Sequence, residues 1–418
     1  MIMKVGHIGM AKNNIDFFAK KKPWSRTKDE LLSSYLPQYF AKILYTRKEV
    51  VYIDCFAGKG RFDDGSDGSP ILSLKLRDAA LQRCVIPFHK GIKSVFIELE
   101  HGNELRSNLK GFSNVYVIDG KYEDNIFKCL IGTENKNVFL YMDPYGIKAL
   151  NFSLLAQIAR IKNNSIEMLI NLNTFGFIRA ACSAMKVETS LDGDFLEDLE
   201  EANPTKIDTS EQSLELLDQI AGGKYWRKII IKNKDKNGKC NGIQAEKEFF
   251  EIYRQKLNYL FLYVLDLKVC VKDNGYPKYR LVHLTNHFDG CMLMAENMMN
   301  RAKIHIQEVH HKGKIGLFDE QINTNGEFIY FDDVKDKVVN LLVQYDKEVR
   351  LNQFLADFFT RYGVICKIKD IKDALQALYE DKRVNILRKE RQQDKWVLCN
   401  KNFRGETPNK HILLKYIK

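Results

Sequence analysis

The chain has 418 residues, a formal net charge of +11 and 45% hydrophobic residues. That length exceeds what one core usually serves, so two domains are expected, and the basic balance suits a polyanionic partner, DNA or RNA. No apolar run reaches the roughly 18 residues that cross a bilayer, no signal-peptide pattern opens the chain, and nine scattered cysteines without a C-x-x-C pair predict free thiols in a reducing cytoplasm rather than a metal centre.

Residues 1–49 are expected as a helical lead-in. Leu31, Leu32, Tyr35, Leu36, Tyr39, Phe40 and Ile43 recur at helical spacing, and Pro37 inside that pattern predicts a kink or break. A first strand is expected over 50–54, where an apolar β-branched run ends in Asp54 and passes at once into Phe56-Ala57-Gly58-Lys59-Gly60. The turn-rich stretch 65–70 leads to a helix over 71–81. Strands over 94–98, 115–118, 138–142 and 166–171 then alternate with helices over 103–109 and 152–160. That alternation predicts an α/β fold with a doubly wound, mostly parallel Rossmann-like sheet. Residues 186–245 are expected as a helical insertion, with a helical acid patch over 196–202 and a turn at Asn203-Pro204. A helix over 245–257, strands over 260–264 and 279–285 and a helix over 292–302 complete a domain spanning 50–330. The last segment, 331–418, shows helical patterns over 331–345, 351–362 and 368–381, then two short strands around a charged turn over 383–398. Three helices and a hairpin predict a winged helix-turn-helix domain, which can face a duplex or serve dimerisation or protein docking.

Four strand-then-acid units within about 95 residues place one site at the C-terminal edge of the sheet. The site reads as an S-adenosylmethionine pocket of a methyltransferase. Asp54 can accept hydrogen bonds from the ammonium end of the cofactor, while Phe56, Ala57, Gly58 and Gly60 shape the loop against the adenosine. Glu98 or Glu100 can accept both ribose hydroxyls, because a carboxylate offers two oxygens and no donor; Glu98 ends its strand cleanly and is preferred. His101 is expected as a turn residue. Asp119 stands where an acid can meet the adenine amino group, or it forms a simple Asp-Gly turn. Asp143, Pro144 and Tyr145 make the candidate catalytic loop: the strand delivers an acid into the cleft, proline stiffens the backbone after it, and an aromatic is at hand for the acceptor. Asp143 could instead only close the cofactor pocket.

These residues, with Pro23-Trp24, Lys28 and Leu31, Gly68-Ser69-Pro70, the segment from Gly223 to Arg227, and the run from Tyr279 to His287, resemble the three-Cys-motif partner protein (TcmP) family. The resemblance spans residues 23–300. It implies a class I methyltransferase-like fold with a C-terminal winged helix, and a separate protein partner that carries the three cysteines. The Asp143-Pro144-Tyr145-Gly146 loop is similar to the Asp-Pro-Pro-Tyr loop of adenine amino-methyltransferases but lacks the second proline. Methylation of an exocyclic amino group of a base is thus expected, with a partner-protein substrate, or a non-catalytic binding role in a defence or mobile-element system, as alternatives.

Overall fold

The computed structural model describes residues 23–85, 91–190, 210–270, 277–310, 329–390, 396–398, 406 and 410–417. Seven strands form one sheet: β1 Val50–Asp54, β2 Ile92–Glu98, β3 Val115–Asp119, β4 Asn137–Met142, β5 Ser165–Leu172, β6 Tyr263–Cys270 and β7 Pro277–Thr285. Their order is β3-β2-β1-β4-β5-β7-β6. The first five pair in parallel, while β7 runs antiparallel to β5 and β6. This is the doubly wound, Rossmann-like sheet expected of a class I methyltransferase fold.

Period-two alternation along the strands sorts side chains onto two buried faces. Val50, Tyr52, Phe96, Phe139 and Tyr141 join one core, and Val51, Ile53, Val95, Ile97, Val138 and Leu140 the other. The first face is covered by α1 Pro23–Leu44, α2 Ser69–Arg83 and α3 Gly102–Asn108. The second is covered by α4 Tyr122–Leu130, α5 Phe152–Ala159, α6 Thr174–Ala184, α7 Glu211–Ala221, α8 Tyr225–Lys232 and α9 Gly242–Asn258. Helix α10, Phe288–His310, returns to the first face beside α1.

Three local expectations change. Helix α1 runs through Pro37 without a break. Tyr35, Leu36, Tyr39 and Phe40 are fully or almost fully buried on either side of it; several such side chains, each contributing about 1.5–3 kcal/mol, outweigh the ~3 kcal/mol cost of an interior proline. The strand expected over 260–264 begins later and extends to Cys270, because Tyr263, Leu265, Leu267 and Val269 alternate into the first core. Helix α6 is not expected from the sequence: Phe175, Phe177, Ile178, Ala180, Ala181 and Cys182 are all buried, so the segment lacks the polar stripe that marks a surface helix. The acid patch over 196–202 and the turn at 203–204 lie outside the described residues.

Past residue 330 come α11 Phe331–Leu342, β8 Val349–Arg350, α12 Leu351–Tyr362, α13 Ile368–Glu380, β9 Val384–Glu390, β10 Trp396–Leu398 and β11 Lys410–Tyr416. The strands form an antiparallel sheet in the order β10-β9-β11-β8. Strand β11, not expected from the sequence, is the one that ties β8 to the hairpin. The charged turn over 391–395 lies outside the described residues. Helix α12 packs against α10 and β6. Its Phe354, Leu355 and Phe358 belong to the same continuous core as Tyr35 and Phe139 of the large domain. Polar contacts cross the same boundary: Arg254 Nη2 donates to the Thr360 carbonyl at 2.8 Å, and Asn352 Nδ2 to Asp289 Oδ1 at 3.1 Å.

Candidate functional site

In a sheet of this order the strand order reverses between β1 and β4, and the crevice outside their C-terminal ends is the place for a ligand. Register brings Asp54 opposite Phe96 on β2 and Tyr141 on β4. The Cys55 amide still donates to the Tyr141 carbonyl at 2.9 Å, and the Ala57 amide to the Ile97 carbonyl at 3.0 Å. The loop then leaves the sheet through Gly58 (φ 62°) and Gly60 (φ 79°), in the left-handed region that glycine enters without steric cost. At Gly60 a Cβ would stand 2.9 Å from Leu105 Cδ1 of α3, so the tight turn also depends on close packing.

Asp54 is fully buried. Its Oδ2 accepts from Ser69 Oγ at 2.7 Å and its Oδ1 from the Phe56 amide at 3.2 Å. Burial pushes its carboxyl up to about 7, the two hydrogen bonds hold it lower than burial alone would, and the nearby Asp143 and Glu98 charges push it up again. Glu98, also buried, accepts the Gly58 amide on Oε2 at 2.6 Å and the Glu100 and His101 amides on Oε1 at 3.0 and 3.1 Å. Its carboxylate therefore clamps the β1 loop to the start of α3 and keeps only part of its accepting capacity for a ligand.

Two adjoining hollows share Phe56 and Tyr145 as a common wall. One, of about 390 Å³, is lined by Ile97, Glu98, Leu99, Gly120 and Tyr122 among others, and lies within the ~300–1,000 Å³ range of small-molecule sites. Phe56 and Tyr122 stand with ring centroids 5.2 Å apart and offer an apolar flank for a flat heterocycle. The other is a narrower cleft of about 80 Å³, lined by Ala57, Gly58, Gly60, Ser69, Asp143, Pro144 and Tyr145 together with Lys28 and Asn171. Asp119 lines neither hollow. It is exposed and pairs with Arg106; it is its neighbour Gly120 that faces the larger cavity. Glu100 and His101 do line that cavity.

Asp143 sits just past the end of β4. Lys28 Nζ, from α1, donates to both of its oxygens at 2.9 and 2.7 Å, and Asn171 Nδ2, from the end of β5, donates to Oδ1 at 2.6 Å. In the sequence, Lys28 stands out only through a family resemblance, and Asn171 not at all. The strand-then-polar rule that picks Asp143 applies equally to Asn171, which is buried at the same sheet edge. Ser69 likewise stands out only through that resemblance, and Tyr122 not at all.

The donor set fits S-adenosylmethionine. Glu98 lines the larger hollow and Asp143 the cleft, so a sulfonium or ammonium held there would lie beside a carboxylate; Asp54 is fully buried, lines neither hollow, and has its oxygens on Ser69 and the Phe56 amide. Among the described residues no group of three or more His, Cys, Asp or Glu is arranged to hold a metal ion, and no helix is long and apolar enough to cross a membrane.

No protein-family model matches this chain, and no curated protein matches it in sequence. Among solved structures it is similar to a spermidine synthase bound to the transition-state analogue AdoDATO, at 8% identity and a TM-score of 0.31, covering 66% of this chain and 64% of that one. It is also similar to a dimethyladenosine transferase from Plasmodium falciparum, at 12% identity and a TM-score of 0.23, covering 83% of this chain and 97% of that one. The fold assignment rests on the strand order itself.

Proposed function

We propose that this chain is an S-adenosylmethionine-dependent methyltransferase that acts on nucleic acid. The observation that carries this reading is that Glu98, at the end of β2, and Asp143, just past β4, border one cavity and its adjoining cleft, with the Gly58–Gly60 loop that follows β1 lining the cleft. The Gly58–Gly60 loop would hold the amino-acid end of the cofactor, and Glu98, Phe56 and Tyr122 the nucleoside end. When bound, the cofactor supplies an electrophilic methyl group on a sulfonium centre. The chain then has to place an acceptor, take up its proton and keep bulk water away. Asp143 and Tyr145 border the cleft where an acceptor would enter.

The choice of nucleic acid is supported by the net charge of +11 and by the α11–β11 segment, whose three helices and strands resemble a winged helix. Lys369 and Arg383 are exposed there. Lys372 is partly buried, and burial lowers its pKa against the opposing pull of Glu296.

Isothermal calorimetry with S-adenosylmethionine tests the cofactor. Incubation with methyl-labelled cofactor and total DNA, RNA or lysate protein, followed by locating the label, tests the acceptor. Absence of binding by the wild-type protein ends the reading, and label found only on protein ends its nucleic-acid half.

A further inference from the structure

We propose that the open edge of the large sheet, at β3, binds single-stranded nucleic acid through its phosphodiester backbone and one unstacked base. The inference rests on the nucleic-acid reading above and names a surface for it outside the cofactor site. Strand β3 is the terminal strand of the seven. Along it Tyr116 and Asp119 are exposed, and Val115, Val117 and Ile118 are half-buried. A hollow of about 530 Å³ lies around this edge. It gathers Lys93 from β2, Arg106 from α3, Lys110 from just after α3 and Lys128 from α4, and neither Asp nor Glu lines it. All four cations are exposed. Arg106 is paired with Asp119, whereas among the described residues none of Lys93, Lys110 and Lys128 is held in an ion pair. Lys128 Nζ donates to the neutral Asn125 Oδ1 at 3.0 Å, which does not cancel its charge. Lys93 Nζ stands 4.6 Å from the centroid of the Tyr116 ring, and Tyr116 remains 51% exposed.

That arrangement selects among occupants. A bare edge strand can take up a peptide as an added strand, but here Arg106 reaches the Val117 carbonyl at 3.5 Å, and charged side chains along an edge blunt such pairing. Three lysine charges call instead for a polyanion, and a nucleic acid strand carries one negative charge per nucleotide. A duplex keeps its bases stacked inside. A single strand can lay a base on Tyr116 while the neighbouring phosphate meets Lys93. The hollow also abuts the proposed cofactor cavity, because β3 runs on into Gly120 and Lys121, which line that cavity. Strands β3 and β4 lie three strand spacings apart in the sheet order, about 14 Å. A stacked strand rises only ~3.4 Å per nucleotide, so a chain of several nucleotides, and not a mononucleotide, is what can hold this edge and still reach the Asp143 cleft.

Fluorescence anisotropy with oligo-rU and oligo-dT over a series of salt concentrations tests this. The variant Lys93→Gln/Lys110→Gln/Lys128→Gln should bind more weakly and reduce the slope of log affinity against log salt by about two, at ~0.7 per phosphate contact on a single strand. Tyr116→Ala should weaken binding by about tenfold, the scale of one stacked base, and leave the slope in place. A control variant, Lys228→Gln/Lys232→Gln/Lys236→Gln, removes the same charge on and just after α8, which packs on α6 and α9 away from this edge; it should keep the wild-type slope. Both oligonucleotides carry the same backbone, so both should respond, and binding of one alone identifies its sugar as the source. An unchanged slope in the first variant, an equal loss in the control, no binding of either oligonucleotide by the wild type at low salt, or tighter binding of poly-glutamate than of both would each overturn the proposal. Calorimetry keeps the two readings apart. The lysine and Tyr116 variants should bind S-adenosylmethionine as the wild type does, and a parallel loss would assign these residues to the fold and overturn the surface. Absence of cofactor binding by the wild type removes the methyltransferase reading and leaves the surface standing.

Discussion

The Glu98 carboxylate accepts the Gly58 amide at 2.6 Å across 40 positions of sequence. This bond joins the ends of β1 and β2 before any ligand arrives. Its consequence is that Glu98 serves the loop and the ligand together. Glu98→Gln keeps the volume but turns one accepting oxygen into a donor facing backbone N–H groups. Cofactor affinity should fall by roughly 1–3 kcal/mol, and the melting temperature should fall with it. A residue that met only ribose hydroxyls would lower affinity in calorimetry and leave the melting curve in place.

Asp54 predicts a pH dependence. Burial raises its folded-state carboxyl from 3.8 to about 7. Between those values the folded protein holds more protons than the unfolded chain, so this group's stabilising contribution is lost as pH rises, by at most about 1.4 kcal/mol per pH unit, and the decline levels off above 7. Denaturant titrations from pH 4 to 8 should show that decline, and Asp54→Asn should remove it. Affinity for a cationic cofactor should move the opposite way in the wild type, rising through pH 7 as Asp54 ionises. Affinity that is flat over pH 6–8 would separate Asp54 from the cofactor's charge.

Gly60→Ala asks the turn to hold a side chain at φ 79° with its Cβ 2.9 Å from Leu105 Cδ1. The left-handed conformation alone costs about 1–2 kcal/mol, and Leu105, a core residue, must also move. Gly65, at φ 83°, has nothing within 4 Å of a built Cβ. Gly65→Ala should therefore cost only the conformational part. Thermal denaturation of the two variants should rank Gly60 as the more damaging, and only Gly60→Ala should also weaken cofactor binding.

The segment from residue 331 onward shares its core with the large domain. Phe358 is fully buried and sits on α12, which packs on α10 and β6. Phe358→Ala should destabilise the whole protein by about 3–5 kcal/mol, with one cooperative transition. A chain truncated before residue 331 should expose the α10 surface and lose solubility. Two separate transitions in calorimetry, with only one shifted by Phe358→Ala, would show instead that the two parts unfold independently.

Much of this is legible in the order of residues alone. Strands 50–54, 94–98 and 138–142 can be read because a parallel sheet buried on both faces demands short continuous apolar runs, strand 115–118 because its apolar residues persist at the half-exposed margin, and the acids that close them mark the sheet edge. Gly58 and Gly60 announce their turn because few residues other than glycine reach positive φ cheaply. What chain order cannot state is which strand ends become neighbours in space. Asp143 reads as a lone acid on a catalytic loop, and only packing brings Lys28 from 115 positions away onto both of its oxygens. Asp119 has the same local signature as Asp54 and Glu98, yet its strand lies at the sheet margin, and Arg106 holds it outside the cavity. The unity of the core is the same kind of fact. Periodicity in α12 shows that one face must be buried, and it takes the tertiary structure to show that α10 of the large domain is what buries it. Local pattern reports what each segment needs to hide or present; long-range contacts, set by the chain's path through the sheet, decide with which partner.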